Sequence, residues 1–139
     1  MGFDDVSTGS TWSWLPAACA ASLATLDIFQ REPVLENVKK LGSLAAEKLR
    51  ALHTRHTCIG DVRAVGCFMA IEFVKDRTTK ERDSELTRAV AEACLGRGLL
   101  VEPSSTSLNI QPSLVTPPEV LERAFAIIAD TVEECETSN

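Results

Sequence analysis

Few side chains in this sequence have the type and spacing that chemistry requires. The two histidines, His53 and His56, lie three residues apart near the end of a predicted helix, and such a pair is a possible start of a metal site. No acidic residue or cysteine stands at matching spacing beside them. We therefore interpret the pair as a solvent-facing helix end, where positive charge interacts favourably with the helix dipole, and we expect no metal ion.

The other motif candidates are weaker still. Residues 96–98 (Gly-Arg-Gly) lack the third glycine of a dinucleotide-binding loop and follow a predicted helix instead of a strand. No P-loop, nucleophile elbow or Ser-x-x-Lys motif is present. The five cysteines are odd in number and include no Cys-x-x-Cys pair, which argues against a disulfide framework or zinc site. Cys19, Cys67 and Cys94 stand in apolar stretches, so we predict that they belong to the core.

Composition and charge narrow the class of protein. The chain has 139 residues, enough for one domain with a substantial core. Its 14 basic and 20 acidic residues give a net charge of −6, which does not favour nucleic acid or an anionic membrane surface as a partner. No apolar run approaches the length of a membrane span, and the first residues do not resemble a signal peptide. We predict a cytoplasmic protein.

The elements that must position any site follow from apolar spacing. Residues 16–29 are Ala-rich and almost wholly apolar, which predicts a helix buried on most faces. An amphipathic helix over residues 34–52 follows, then strand-like stretches at 61–65 and 68–74 that form either a hairpin or one bent strand. Residues 75–83 are a predicted charged loop, with Asp83 or Ser84 capping a helix that ends at Gly96 or Gly98.

The last third of the chain completes this pattern. Residues 99–102 and 108–111 are predicted short strands. Thr116 as cap and Pro117 as first helical residue predict a final helix, with fraying over residues 133–139. The order α-α-β-β-α-β-β-α predicts an α+β domain: a small, mostly antiparallel sheet with helices packed on it.

Three segments, in order, resemble the class III pyridoxal-phosphate aminotransferases. Residues 10–27 (STWSWLPAACAASLATLD) resemble the family's T-F-x-x-N-P-x-A-C-A-A-A-L-A-x-L segment. Residues 60–72 (GDVRAVGCFMAIE) resemble its V-R-G-x-G-L-M-x-G-I-E region, and residues 108–116 (LNIQPSLVT) its L-R-I-x-P-P-L-x-I-T segment. The resemblance covers residues 9–135, nearly the whole chain.

This resemblance implies a fold type I enzyme that binds pyridoxal 5'-phosphate and works as a homodimer. It implies that residues 1–15 lead in from a large domain, and that residues 16–139 are the C-terminal small domain with its N-terminal helix. The lysine that forms the Schiff base then lies upstream. All five lysines here stand in polar or charged surroundings, which do not lower an amine pKa, so we expect no catalytic residue in this chain.

The resemblance also assigns candidate site residues. Thr11, with Ser10, matches the position that binds the cofactor phosphate of the neighbouring subunit, although a threonine here is also an ordinary helix cap. Trp12, like Trp14, borders a substrate channel or packs at a subunit interface. Asn109 stands where many members place an arginine that binds the substrate carboxylate. Asparagine has no such charge, so either the substrate lacks a carboxylate there or an arginine elsewhere binds it.

Three functions stay open at this point. The first is transfer of an amino group from an amine or amino acid to a 2-oxo acid, and the second is epimerase or aminomutase chemistry on the same scaffold. The third is a non-catalytic dimerisation or binding domain. Arg63 is predicted to be a surface ion-pair partner, and Asn109 is alternatively a plain strand residue on the polar face. Left alone, the apolar helix over residues 16–29 is expected to drive association.

Overall fold

The computed structural model describes residues 14–105 and 107–137, which divide into two compact units, residues 1–33 and residues 34–139. The elements in chain order are α1 (Pro16–Arg31), α2 (Val34–Arg55), β1 (Ile59–Val65), β2 (Phe68–Asp76), β3 (Glu81–Arg82), α3 (Ser84–Gly96), β4 (Glu102–Pro103), β5 (Leu108–Ile110) and α4 (Pro118–Thr137). The predicted α+β class is confirmed. No helix in the described ranges combines the length and apolarity needed to cross a bilayer. The cytoplasmic location stays a prediction.

The described part of the first unit is a single helix, α1. Pro16 occupies its first turn, where a missing N–H costs nothing, and alanines favour the helix that follows. The predicted helix is confirmed, but its predicted burial is wrong: no α1 residue is buried, and Leu23 and Leu26 are 68% and 59% exposed. The described part of this unit contains no second element for the helix to pack on. Cys19, predicted as core, is exposed for the same reason.

The second unit is built on an antiparallel sheet with strand order β1-β2-β5-β4, and β3 pairs with β2 off this path. The junction between residues 65 and 68 is a hairpin, since Val65 pairs with Phe68 and Gly66 turns the chain with a φ of +56°. A Cβ at Gly42 of α2 would lie 3.0 Å from the Gly66 Cα. The two glycines therefore allow the helix and the hairpin to approach closely.

The core lies between one face of this sheet and the helices α2, α3 and α4. Alternation on β2 places Met69, Ile71 and Phe73 in the core, together with Leu108 and Ile110 of β5. Each helix contributes its apolar stripe, and the buried helix residues include Leu41, Leu49, Val90, Cys94, Phe125 and Ile128. Cys67 and Cys94 are buried, so these two core predictions are confirmed.

Two elements between β2 and β5 differ from prediction. Residues 75–83 are not only a loop, because β3 pairs there with β2. The strand predicted at 99–102 is instead the two-residue β4, because Gly98 and Leu99 end α3 with bonds from their N–H groups to the carbonyls of Leu95 and Cys94. The Asp83 cap of α3 is confirmed by its 2.8 Å bond from the Leu86 N–H.

The final helix also differs from prediction. It begins at Pro118, one residue later than predicted, and continues to Thr137 without fraying from residue 133. At the end of α2, the Arg55 guanidinium lies 2.7 Å from a Glu133 carboxylate oxygen. Nδ1 of the adjoining His56 lies 2.7 Å from a Glu136 carboxylate oxygen. These contacts hold the last turn in place.

Candidate functional site

The face of the sheet that lies away from α2, α3 and α4 carries a row of four paired positions, one each on β1, β2, β5 and β4. Arg63 of β1 pairs with Ala70 of β2, Ala70 pairs with Asn109 of β5, and Asn109 pairs with Glu102 of β4. Adjacent strands are separated by about 4.8 Å, so this row crosses the sheet within a short distance. We call this surface, with Asp61 and Glu72 beside the row, the open sheet face.

Arg63 is held by two carboxylates of the open sheet face. Its Nη1 donates to Asp61 Oδ2 at 2.6 Å and to Glu72 Oε2 at 3.1 Å. The Arg63 side chain is half-exposed, so each pair contributes little stability, but together they fix the guanidinium over β1 and β2. The prediction that Arg63 is a surface ion-pair partner is confirmed.

Asn109 is half-buried at the centre of the open sheet face. Its Oδ1 accepts a hydrogen bond from the Ser107 hydroxyl at 3.2 Å. Ser107 itself is buried and closes the β4–β5 turn through bonds with Ser104. The Asn109 amide therefore has its oxygen engaged within the protein, while its Nδ2 group can donate to a ligand.

A second cluster, which sequence reasoning missed, joins the end of α2 to the end of α4. His56 is not solvent-facing as predicted: it is 3% exposed, and its Nδ1 lies 2.7 Å from Glu136 Oε2. The ring faces inward because Arg77 binds the carbonyl oxygens of His53, His56 and Ile59 and closes this corner. The spacing of residues around His56 could not predict this contact, because Glu136 stands 80 residues further along the chain.

The electrostatics of this second cluster do not favour nucleophilic chemistry. Burial, reinforced by the neighbouring Glu136 carboxylate, raises the pKa of the Cys58 thiol to about 12, so the thiolate nucleophile is scarcely populated. Burial also tends to raise the pKa of Glu136, but hydrogen bonds from His56 and Cys58 outweigh it and lower that pKa. A cavity of about 430 Å³ beside Cys58 is lined by Lys75, Asp76 and Asp83 among others. We assign the cluster a structural role.

None of the five lysines, all within the described ranges, has the setting of a Schiff-base lysine. Lys48 is half-buried and the other four are exposed. A hydrogen bond to Glu81 raises the pKa of Lys75, whereas a nucleophilic amine needs a lowered pKa. Within residues 14–105 and 107–137, no three His, Cys, Asp or Glu side chains are grouped to hold a metal ion.

The remaining predicted site residues cannot be placed. Ser10, Thr11 and Trp12 lie outside the described residues. Trp14, the first described residue, is 92% exposed. Of the predicted cofactor and substrate contacts, the structure thus places only Asn109. The division into residues 1–15 and 16–139 stays a prediction.

Comparison with known proteins identifies the family. The family model for class-III aminotransferases matches residues 2–132. The 5-aminovalerate aminotransferase of Pseudomonas aeruginosa is 34% identical over 129 residues, which are 91% of this chain and 30% of that protein. The isoleucine 2-epimerase of Lentilactobacillus buchneri is 37% identical over 116 residues, 83% of this chain and 26% of the epimerase.

A solved structure shows the same fold. The adenosylmethionine-8-amino-7-oxononanoate aminotransferase of Methanocaldococcus jannaschii superposes with a TM-score of 0.82 at 30% identity, covering 93% of this chain and 30% of that one. This chain thus spans less than a third of the length of each of these three proteins. The chain belongs to the class III aminotransferase family, and its fold is that of the fold type I transaminases.

Proposed function

We propose that this chain is the C-terminal part of a pyridoxal-phosphate-dependent aminotransferase that moves an amino group from an amine or amino acid to a 2-oxo acid. The observation that carries the proposal is the position of Asn109. It lies in the segment that resembles the family's substrate-binding segment, on the sheet face that no helix of its own unit covers, with its amide fixed by a buried serine. Such a group can bind and orient a substrate arm.

The cofactor requires residues that this chain does not supply. Pyridoxal phosphate, when bound, carries the amino group between donor and acceptor. The five lysines do not fit its attachment, so we place the attachment lysine in another part of the enzyme and expect the 139-residue chain alone to be inactive. Ser10 and Thr11 are our proposed contacts to the cofactor phosphate, and Trp12 our proposed neighbour of the substrate.

The enzyme is proposed to act as a homodimer. Supporting this, α1 has apolar side chains such as Leu23 and Leu26 that nothing in its own unit covers. An exposed apolar surface of this kind favours association. A second copy is the partner that the family resemblance favours.

Epimerisation is the second candidate function. The relative from Lentilactobacillus buchneri, an isoleucine 2-epimerase that is 37% identical to this chain over 116 residues, supports it. Both reactions use the same cofactor and lysine, and Asn109 is compatible with either. The substrates and products must distinguish them.

Product analysis of the native polypeptide that carries this sequence tests the proposal. The protein is supplied with pyridoxal phosphate, pyruvate and one of three amines: 5-aminovalerate, 5-amino-1-pentanol or L-isoleucine. Aminotransfer consumes pyruvate and forms alanine. Epimerisation inverts isoleucine at its second carbon without consuming pyruvate. Turnover of none of the three amines would contradict both candidates.

The role of Asn109 needs a matched pair of variants. Asn109→Ala removes the amide from the open sheet face, whereas Gln111→Ala removes an exposed amide just beyond the end of β5. We expect the first variant to raise KM for the amine and the second to leave it unchanged. Equal effects of the two variants would show that Asn109 does not contact the substrate.

A further inference from the structure

We propose that Ser107 is a positioning residue that turns the two N–H donors of Asn109 toward the open sheet face, so that Asn109 selects a substrate arm bearing an uncharged oxygen acceptor over one bearing a carboxylate. This inference rests on the proposed function, because it needs Asn109 to contact the substrate. It adds a second residue and a chemical class of substrate to that contact.

The first support is a network of hydrogen bonds at the β4–β5 turn, in which Ser104 Oγ and Ser107 Oγ also lie 3.1 Å apart and either hydroxyl can donate to the other. The Ser107 N–H donates to Ser104 Oγ at 2.9 Å, and the Ser104 hydroxyl donates to the Ser107 carbonyl at 3.0 Å. The Ser107 hydroxyl donates in turn to Asn109 Oδ1 at 3.2 Å. An amide oxygen can only accept, so this last bond defines which end of the amide faces the protein.

The second support is the burial of Ser107. Its residue is 6% exposed, whereas Asn109 is half-buried on the surface of the sheet. A hydroxyl in this position has no competing bulk water and holds the Asn109 oxygen on the turn side. The Nδ2 group, which has no hydrogen-bond partner within the described residues, is then the part of the amide available to a ligand.

The third support is the charge of the open sheet face. Asp61, Glu72 and Glu102 are acidic, and Arg63, its single base, is already bound by Asp61 and Glu72. The nearest cross-strand neighbours of Asn109 are Ala70 and Glu102, neither of which can neutralise an anion. A carboxylate at Asn109 would meet net negative charge, whereas a carbonyl or hydroxyl oxygen would accept the amide hydrogen bonds without that repulsion.

Ser107→Ala and Ser107→Thr test the positioning role in the active enzyme. Ser107→Ala removes the hydroxyl, and we expect KM for the amine donor to rise about 3- to 10-fold with kcat unchanged, as for the loss of one neutral hydrogen bond. Ser107→Thr keeps the hydroxyl and restores KM. Ser113→Ala, in an exposed loop, is the matched control and leaves KM unchanged. A Ser107→Ala variant whose melting temperature falls but whose KM does not change would overturn the positioning role.

The double variant separates positioning from an unrelated effect on stability. If Ser107 acts through Asn109, Ser107→Ala combined with Asn109→Ala raises KM no further than Asn109→Ala alone. Multiplying effects would overturn the inference. If Asn109→Ala raises KM but Ser107→Ala does not, the inference fails and the proposed function stands. If Asn109→Ala has no effect, the proposed substrate contact itself is wrong.

A matched pair of amine donors tests the substrate class. 5-Aminovalerate and 5-amino-1-pentanol have the same five-carbon chain. They differ at the end away from the amine, which is a carboxylate in the first and a primary alcohol in the second. We expect kcat/KM to favour the aminoalcohol, and Asn109→Arg to reverse that preference because guanidinium binds carboxylates. A preference of the unmodified enzyme for 5-aminovalerate would overturn the assignment. Turnover of no amine donor at all would overturn the proposed function, and this inference with it.

Discussion

The contact between His56 and Glu136 makes a sharp prediction about stability. Glu136 Oε2 lies 2.7 Å from His56 Nδ1, while its Oε1 accepts from the Thr57 hydroxyl at 3.3 Å and from the Cys58 N–H at 3.4 Å. In Glu136→Gln one carboxylate oxygen becomes an NH₂ group, which must face either the ring nitrogen or the Cys58 N–H. The variant therefore either replaces the charge-assisted contact to His56 by a neutral one or loses the bond from the Cys58 N–H.

The magnitude follows from the kind of bond that is lost. A hydrogen bond to a charged group contributes about 1.5–3 kcal/mol, against about 0.5–1.5 kcal/mol for a neutral one. Because the Glu136 side chain is 30% exposed, we expect the lower part of that difference, a loss of about 1 kcal/mol in the free energy of unfolding. For a unit of this size that is a fall of about 4–8 °C in melting temperature.

Urea and thermal unfolding of the 139-residue chain measure this loss, and the same helix supplies the control. Glu134→Gln breaks an exposed pair with Arg97, in which the glutamate side chain is 63% exposed, and we expect it to cost less than about 0.5 kcal/mol. Indistinguishable unfolding energies for the two variants would refute the reasoning, since the buried ring would then contribute nothing beyond an exposed ion pair.

The difference in unfolding free energy between the unmodified chain and Glu136→Gln should depend on pH. The pKa of Glu136 is lower in the folded chain than its ordinary value of 4.5, so the unfolded chain binds its proton more readily. The stabilisation is therefore present above that ordinary value and is lost as the pH falls through the lowered folded value. The gap between the unmodified chain and Glu136→Gln should close at acidic pH. A constant gap would contradict this assignment.

The remaining predictions concern the hairpin, a thiol and α1. Gly66→Ala should lower the free energy of unfolding by about 2–4 kcal/mol, because the φ of +56° is unfavourable for alanine and the new Cβ lies 2.7 Å from an α2 side chain. Gly98→Ala has a φ of +80° but open space around the new Cβ, so it should cost only about 1–2 kcal/mol. Thermal unfolding measures both losses, and equal losses would exclude the clash at Gly66. The Cys58 thiol, with a pKa of about 12, should react with iodoacetamide far more slowly than the exposed Cys19 thiol. Peptide mapping of the alkylated chain measures both rates, and similar rates would contradict the burial of Cys58. The isolated chain should dimerise or aggregate through α1, and Leu23→Lys should lower the average mass measured by light scattering. A monomer of the unmodified chain at high concentration would contradict this prediction.

Local pattern was sufficient to predict most of the second unit. Apolar spacing predicted α2, strand-like stretches predicted β1 and β2, and Asp83 predicted the start of α3. Each of these depends on residues close together in the chain. The two-residue β3 was missed because strands this short take their pairing from a neighbour and not from their own composition.

Contacts between distant residues could not be predicted in this way. His56 became buried because Glu136 and Arg77, 80 and 21 residues along the chain, close the same corner. The acidic end of α4, predicted to fray, is held by that corner too. At the open sheet face, sequence identified Asn109 and Arg63, but only the structure shows that Ser107 and two carboxylates fix how these side chains are oriented.

The denatured mass of the native polypeptide that carries this sequence tests the central claim most directly. We propose that this chain contributes a substrate-binding face to an enzyme whose cofactor lysine lies outside it. A mass well above the 15.1 kDa of these 139 residues is therefore expected. A mass near 15.1 kDa would contradict the claim, since no lysine in this sequence has the setting that the chemistry needs, and the chain would then be a binding or dimerisation domain.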